Sequence, residues 1–487
     1  MRCRISRVTG LASLLAVVLA GTVGFPVAGI AAEAATRAGP VPWAEQAITA
    51  HVDSSLYTGT LDADALKRLR DEGERLFTAK FTPTDGLGRP MATGAITPVK
   101  AKRPPQSLFS RTAGMDSNGC SSCHAEPAPG GAGNFAVNVF VSEGFTNADF
   151  DSLDPQFSNE RNTNHIFGAG LVELLAREMT ADLHRLRAET VREARATGKP
   201  VEVELVTKGV DFGTLTIQPD GMVDLSGLDG VDTDLVIRPF SQKGVMTSLR
   251  QFTINAMNDH HGMEAVERYG ARWTGETDFD EDGVSDELIP GDISALVAWQ
   301  AGLKPPVQKV PDDPRWKQAA AHGDAVFDTL GCNSCHIRAL PLNSLKFADP
   351  GPFDAAGTLR TGEVPGAVYD LALLDWAATL PRNGDGAVMV PLFGDLKRHR
   401  IADARIAALG NELLAQRFVD RDVFQTTELW GIGSTAPYGH RGDLPTLDAV
   451  IRAHGGDATP VTRRYEALAE TDRSALIAFL KTLVIEP

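Results

Sequence analysis

The chain has 487 residues, 43% of them hydrophobic, with 63 acidic against 47 basic side chains and a formal net charge of −16. That length is enough for two or three domain cores. The acidic balance excludes nucleic acid as a partner, because a phosphate backbone is gripped by positive charge.

In chain order, Arg2, Arg4 and Arg7 precede an apolar run from Leu11 to Ala20, and Ala32-Glu33-Ala34 has the small-x-small form of a cleavage site. Residues 1–34 are therefore expected to be a signal peptide, removed on export together with Cys3. The apolar run is too short for a membrane span and no other stretch qualifies. Residues 35–60 read as a loose lead-in. Leu61, Leu66, Leu69, Leu76 and Phe77 recur at helical spacing and predict a helix over 61–79. From Phe81 the chain is Pro- and Gly-rich loop, ending at Gly119-Cys120-Ser121-Ser122-Cys123-His124. C-x-x-C-H is the attachment pattern of a c-type haem. Cysteines three apart stand on one side of a turn, so both sulfurs reach the vinyl groups of one porphyrin. The following histidine then offers its imidazole to the iron.

Residues 168–195 predict helix, and 198–240 a small β insertion. There Val201–Val206 and Gly213–Ile217 alternate as hairpin strands, with Asp234–Ile237 as a further strand. Helical texture returns at Met246–Asn258 and Ile293–Ala301. Lys304-Pro305-Pro306 and Pro311-Asp312-Asp313-Pro314 mark a linker. Then comes a second box, Gly331-Cys332-Asn333-Ser334-Cys335-His336, and the chain closes on an amphipathic helix over Ser474–Leu483. Thr163–Gly170 and Thr426–Gly433 share the form T-x-x-x-[FW]-G-x-G, each after its box, as expected of a duplicated cytochrome c unit.

With this composition a single C-x-x-C-H arises by accident on the order of 0.001 times, and the chain has two. Zinc is the rival reading, but it needs four clustered ligands, and here each pair has its own histidine 212 residues from the other box. The expected fold is mainly α, with two cytochrome c-like haem domains and a small β-hairpin insertion. Residues 35–303 form the N-terminal haem c domain and 304–487 the C-terminal one, with two covalently bound haem c groups as cofactors. Within the first, Asp278-x-Asp280-x-Asp282-Gly283 and Glu287 form an acidic loop over 278–287. Carboxylates at alternate positions around a turn-permitting glycine are calcium chemistry. The loop departs from the EF-hand pattern in placing Ile289 where a bidentate glutamate belongs. The other reading is a solvated acidic turn.

Phe424–Gly433, Tyr438-Gly439-His440-Arg441-Gly442-Asp443, Thr446–Val450 and His454-Gly455-Gly456-Asp457 resemble the bacterial di-haem oxidoreductases. These are relatives of di-haem cytochrome c peroxidase and of the methylamine dehydrogenase maturation enzyme. Gly168–Glu173, Ser248–Phe252, His260–Glu264 and Asp278–Gly283 are similar to the same family, so the likeness runs from about residue 80 to 485. It implies one six-coordinate haem that relays electrons and one haem with an open face where peroxide reacts. In the peroxidases a methionine ligand stands fourteen residues after the histidine of the tyrosine-aromatic-His-Asp-Gly phrase. Fourteen residues after His440 is His454. The resemblance then implies His336 and His454 on the second iron, and bis-imidazole ligation lowers the potential relative to His/Met. The same offsets in the first half fall on Val191 and Arg177, which leaves the His124 haem open.

An open haem needs a proton-transfer group above the iron. Glu173, His260 and His261 are the leading candidates, with Glu178, His184 and Glu264 behind them and His165 as a resting ligand. Phe167 stands where many relatives carry a tryptophan between the haems, and Trp430 mirrors it. Expected partners are peroxide or another oxidant and a redox donor protein of small cytochrome or cupredoxin type. Location is periplasmic or secreted. Two other readings stand beside the peroxidase: a non-enzymatic di-haem electron carrier, and a haem oxidase of a protein or organic substrate.

Overall fold

In the computed structural model, residues 41, 43–88, 118–141, 158–354, 357–404, 408–410, 412 and 416–487 are described. The expected signal peptide lies outside them, as does most of the Pro- and Gly-rich loop. Glu45–Pro487 is one compact unit.

Helix α1 (Ala63–Thr78) starts where Asp62 accepts from the backbone N–H of Ala65, and it buries Leu66, Leu69, Leu76 and Phe77. Helix α2 (Ala169–Thr197) is bounded by Gly168 and Gly198, both left-handed. Ser248 caps α3 (Leu249–Ala256), which runs into a π-helical turn at Met257–His261. Two short helices follow, α4 (Val266–Tyr269) and α5 (Ala271–Thr274), and then α6 (Pro290–Ala301), buried almost throughout. The C-terminal half adds α7 (Pro314–Leu330), α8 (Leu447–Ala453), α9 (Thr459–Glu466) and α10 (Glu470–Leu480).

The centre is helical as expected, but among the described residues there are also six sheets of only two or three strands. The β insertion forms: Val201–Thr207 pairs antiparallel with Val210–Ile217, which pairs with Val223–Asp224. Asp234–Ile237 is not a strand. Asp234 turns back to accept from Val236 N–H, Leu235 is left-handed, and Ile237 N–H goes to the Thr180 hydroxyl, so no ladder is left to make.

Two hydrophobic cores divide the molecule. The larger gathers α1, α2, α3, α6 and the hairpin; the smaller gathers α7, α10 and the segment around Tyr438–Tyr465. The segment Leu340–Leu396 follows residue 304 in sequence yet packs into the larger core through Leu340, Phe347, Tyr369 and Val390. Buried Arg250 secures that return. It bridges Glu267 at 2.5 Å and Asp349 at 2.8 Å, and Asp349 also accepts from the Tyr369 hydroxyl.

The duplication is visible in the helix pairs. A Cβ at Gly73 of α1 would lie 2.0 Å from the Ala295 carbonyl oxygen of α6, and one at Gly323 of α7 would lie 1.9 Å from that of Ala475 in α10. Only glycine permits backbones this close. In the second half the box follows α7 directly. In the first, 40 residues intervene in the chain, but Phe81 N–H donates to Asn118 O and Gly119 rests on the Ala79 carbonyl, so the box again sits at the end of its helix.

Replacing glycine by alanine inside a helix normally stabilises by up to about 1 kcal/mol. At Gly323 the added methyl meets backbone that cannot yield, so Gly323→Ala is expected to cost at least ~2 kcal/mol. Urea unfolding measures it, and a neutral or stabilising result would contradict the close approach.

Candidate haem sites

Each attachment box forms a 3₁₀ turn, Cys120–Ser122 and Cys332–Ser334. Side chains three apart are eclipsed in this geometry, so Cys120 and Cys123, like Cys332 and Cys335, share one side. Burial pushes the Cys120 thiol up to about 12 and the Cys332 thiol up to about 11. Among the described residues no metal-compatible group of three contains both cysteines of a box.

The histidine after each box is oriented by its inner nitrogen. His124 Nδ1 donates to Gly131 O at 3.3 Å, and His336 Nδ1 donates to Phe393 O at 3.2 Å. A carbonyl only accepts, so the proton sits on Nδ1 and Nε2 is left as a ligand nitrogen. Phe393 is itself left-handed, with φ of 54°, a costly conformation for a bulky residue that aims its carbonyl at His336. Burial lowers His124 and His336 to about 4, so both are neutral as ligation requires. Both keep some accessible surface in spite of that desolvation. The thiol pair and neutral imidazole at each box fit a covalently held haem.

His454 has the same arrangement. It caps α8, donates from Nδ1 to Val450 O at 2.7 Å, and lies close enough to His336 to depress it further. Beside the His124 pocket the geometry differs. His260 adds to the depression of His124, is lowered to about 4 by burial, and has no partner for its Nδ1. His261 Nε2 lies 3.9 Å from Cys120 Sγ. His165 is also near, but its Nε2 is hydrogen-bonded to Trp430 O at 3.0 Å. The offset that reached Val191 and Arg177 could not find His260, because it arrives from a different part of the chain.

The other expected residues are placed elsewhere. Glu173, the leading carboxylate, is wholly buried with Oε1 on Arg177 and Oε2 accepting from Leu249 N–H. It clamps α2 to the start of α3; although burial raises it to about 7, both oxygens are committed. Glu178 accepts from Lys208, Asn343 and Ser344, and His184 Nε2 donates to Asp234 O at 2.8 Å, on a surface groove of about 450 Å³. Sequence reasoning missed His399. Its Nε2 meets Asp395 at 2.8 Å and its Nδ1 lies 4.0 Å from Cys335 Sγ. Burial opposes its charge, but the Asp395 hydrogen bond prevails and raises it to about 10. The i, i+4 spacing of Asp395 and His399 was the available signal.

The repeated T-x-x-x-[FW]-G-x-G segments meet each other. A Cβ at Gly168 would lie 2.6 Å from the Trp430 ring, and one at Gly431 would lie 3.0 Å from His165 Nε2. Both glycines are left-handed, with φ of 80° and 85°. The second glycine of each segment lies under the helix end of its own half, Gly170 against Ala301 O and Gly433 against Lys481 O. Phe167 and Trp430 are both buried at this junction.

The acidic loop forms two adjoining groups. Asp278, Asp280 and Asp282 converge, and Asp280 also converges with Glu287 and with Glu264, which was expected to be a proton-transfer residue. Burial first, then the neighbouring carboxylates, raise Asp280 to about 8 and Glu287 well above its usual range.

No family model matches the chain. It is 23% identical over 266 residues to a cytochrome-c peroxidase, IdrP2, of Denitromonas iodatirespirans, an alignment covering 53% of this chain and 64% of that protein. The chain thus spans a little under two-thirds of the curated relative it matches. Among solved structures, hydrazine synthase of Kuenenia stuttgartiensis, pressurized with xenon, is 12% identical with a TM-score of 0.33, over 85% of this chain and 92% of that one. A MauG-like protein associated with microbial copper homeostasis is 15% identical with a TM-score of 0.27, over 55% and 77%. Superpositions this loose place no individual residue.

Two outcomes follow from the site. In the ferric holoprotein, His454→Ala is expected to convert one low-spin electron paramagnetic resonance signal to high spin; an unchanged spectrum would remove His454 from the iron. His440 is 5% exposed, packed at a tilt against Phe424 with ring centroids 4.9 Å apart, and neither ring nitrogen is hydrogen-bonded. Burial, then Arg161, Lys243 and Arg441, lower it to about 3, with Glu412 the nearest counter-charge at 3.8 Å. The unfolded chain therefore binds this proton more readily. The resulting stability is intact above pH ~6.5 and is lost as pH falls toward 3. His440→Phe should flatten that acid limb by on the order of a few kcal/mol in urea titrations; identical slopes in the two proteins would contradict it.

Proposed function

We propose that this chain, a relative of the di-haem peroxidase and MauG-like proteins, is an exported, periplasmic di-haem c oxidoreductase that reduces peroxide. Cys120, Cys123 and His124 would hold one haem, and Cys332, Cys335, His336 and His454 the other. When bound, the haems would supply the redox chemistry, electron storage and relay at the second and a peroxide-accepting iron at the first. Overall, peroxide takes two electrons from a reduced donor protein and two protons, giving two waters.

The observation that carries this reading is the asymmetry of the two pockets. His454 has the Nδ1-to-carbonyl tie of a ligand and stands beside His336. His260 stands beside His124 without such a tie. His165 is tied through Nε2 to Trp430 O, and its remaining nitrogen, Nδ1, is buried without a partner. A buried imidazole that is neutral and not locked in one tautomer can take the proton from incoming peroxide and return it to the departing oxygen. His261 stands against Cys120, beside the same box.

Electrons need a route between the halves, and the hydrogen-bond network supports one. Phe393 O accepts both from His336 Nδ1 and from Leu429 N–H, the next residue is Trp430, and Trp430 O meets His165 beside His124. A buried indole is the aromatic ring best suited to pass a hole here, which gives Trp430 the part that Phe167 cannot play.

Among the described residues no helix is long and apolar enough to cross a membrane. The net charge of −16 favours docking of a basic donor, such as a small cytochrome or cupredoxin, and that encounter should weaken with salt.

Stopped-flow mixing of the donor-reduced holoprotein with hydrogen peroxide tests the proposal. Stoichiometric oxidation of two electrons per peroxide is expected, slowed by ~10²–10⁴-fold in His260→Phe with haem content unchanged. A protein that exchanges electrons but leaves peroxide untouched would be a carrier.

A further inference from the structure

The carboxylates of Glu264, Asp280 and Glu287 point at one another from buried positions, their ligand oxygens all within 4.8 Å. Asp280 is 0% and Glu287 3% exposed. Asp280 Oδ2 and Glu287 Oε1 have no hydrogen-bond partner, and among the described residues neither side chain is in an ion pair with Lys, Arg or His. Like charges held this close in a dry site repel strongly unless a proton or a cation lies between them. Two of the three carboxylates, Glu264 and Glu287, also border a space of about the size of one small ion. A cavity of about 10 Å³, room for one water-sized particle, is lined by Glu264 and Glu287 together with Thr277 and Asp286. Glu287 also needs its neighbour to be glycine, because a Cβ at Gly86 would fall 2.2 Å from its carboxyl carbon. The outer group of Asp278 and Asp282 is a weaker candidate, since those oxygens already accept from Asp282, Gly283 and Val284 N–H.

This cluster is tied directly to the turn carrying His260 and His261. Glu264 follows that turn by three residues, and its N–H donates to Glu287 Oε2 at 2.6 Å. Leu288 N–H donates to Glu264 O, and Val266 N–H to Leu288 O, so the two strands of chain are laced on either side of the carboxylates. From the opposite side Gly88 N–H donates to His261 O, two residues after the glycine that Glu287 packs upon.

We propose that Glu264, Asp280 and Glu287 bind one hard divalent cation of the calcium class, and that this ion clamps the π-helical turn holding His260 and His261 against the first attachment box. An all-carboxylate oxygen set selects calcium over softer metals. The clamp rests on the reading of His260 and His261 as residues of the peroxide site; the ion itself does not.

The test uses the mature holoprotein and a Glu287→Gln/Asp280→Asn double variant, each equilibrated with calcium chloride or with chelator. Metal analysis after desalting is expected to find one more equivalent of calcium in the wild type than in the variant. Calcium should raise the Tm of the wild type by several degrees and leave the variant unmoved. In chelator the variant should unfold no earlier than the wild type, because it lacks the mutual repulsion, which separates loss of the ion from misfolding. Chelation of the wild type should shift the paramagnetic resonance signal of the His124 haem and not that of the His336 haem. Equal calcium counts would overturn the site, and a calcium difference with both haem signals unmoved would overturn the clamp. Haem content, assayed separately, tests the underlying reading: fewer than two haems per chain would sink that reading and leave the calcium count standing.

Discussion

The structure depends on one small constraint repeated three times: an imidazole whose inner nitrogen is held by a backbone carbonyl. His124 on Gly131, His336 on Phe393 and His454 on Val450 each have the proton fixed on Nδ1. A free histidine exchanges tautomers and rotates; one so tied presents a single nitrogen in a single direction. The loop around Gly131, the left-handed Phe393 and the end of α8 are then understandable as devices for aiming three carbonyls. Where the tie is missing, at His260, the side chain is better suited to moving a proton than to gripping iron.

The second organising feature is backbone contact through glycine. In each half one glycine lets the helix before the box lie against its partner helix, and the GxG segment adds two more close approaches. One of these fastens the segment under its own half. The other, Gly168 or Gly431, makes room for a residue of the opposite half. The junction is therefore reciprocal, and it puts Trp430, His165 and the carbonyl of Phe393 in one hydrogen-bonded line between the two pockets. Electron exchange between covalently anchored groups needs a rigid separation, and glycine packing provides that rigidity without side-chain slack.

Much of this was legible in the sequence. Both boxes, helices α1, α2, α3, α6 and α10, the hairpin and the T-x-x-x-[FW]-G-x-G repeat were readable because each depends on local spacing, whereas α7 before the second box was not singled out. His454 was named only through the resemblance, as the residue standing where the peroxidases carry their methionine, fourteen after His440. What escaped was non-local. Leu340–Leu396 packs into the first core because Arg250 draws Asp349 and Tyr369 inward, and no periodicity announces that. Glu173 reads like any acid on a helix until Arg177 and Leu249 are seen to occupy both oxygens. Glu264 joins Asp280 and Glu287 only through the pairing of residues 264–266 with 287–288. Asp234–Ile237 alternates like a strand, but Asp234 prefers its own turn.

The central claim is that the chain carries two covalent haems of unlike coordination, closed by His454 at the second and open beside His260 at the first. The most direct measurement is electron paramagnetic resonance of the ferric protein, purified from a host that matures c-type cytochromes and calibrated against its iron porphyrin content. The account expects two haems per chain, one high-spin and one low-spin signal in equal amounts. Two low-spin signals, or fewer than two haems, would contradict it.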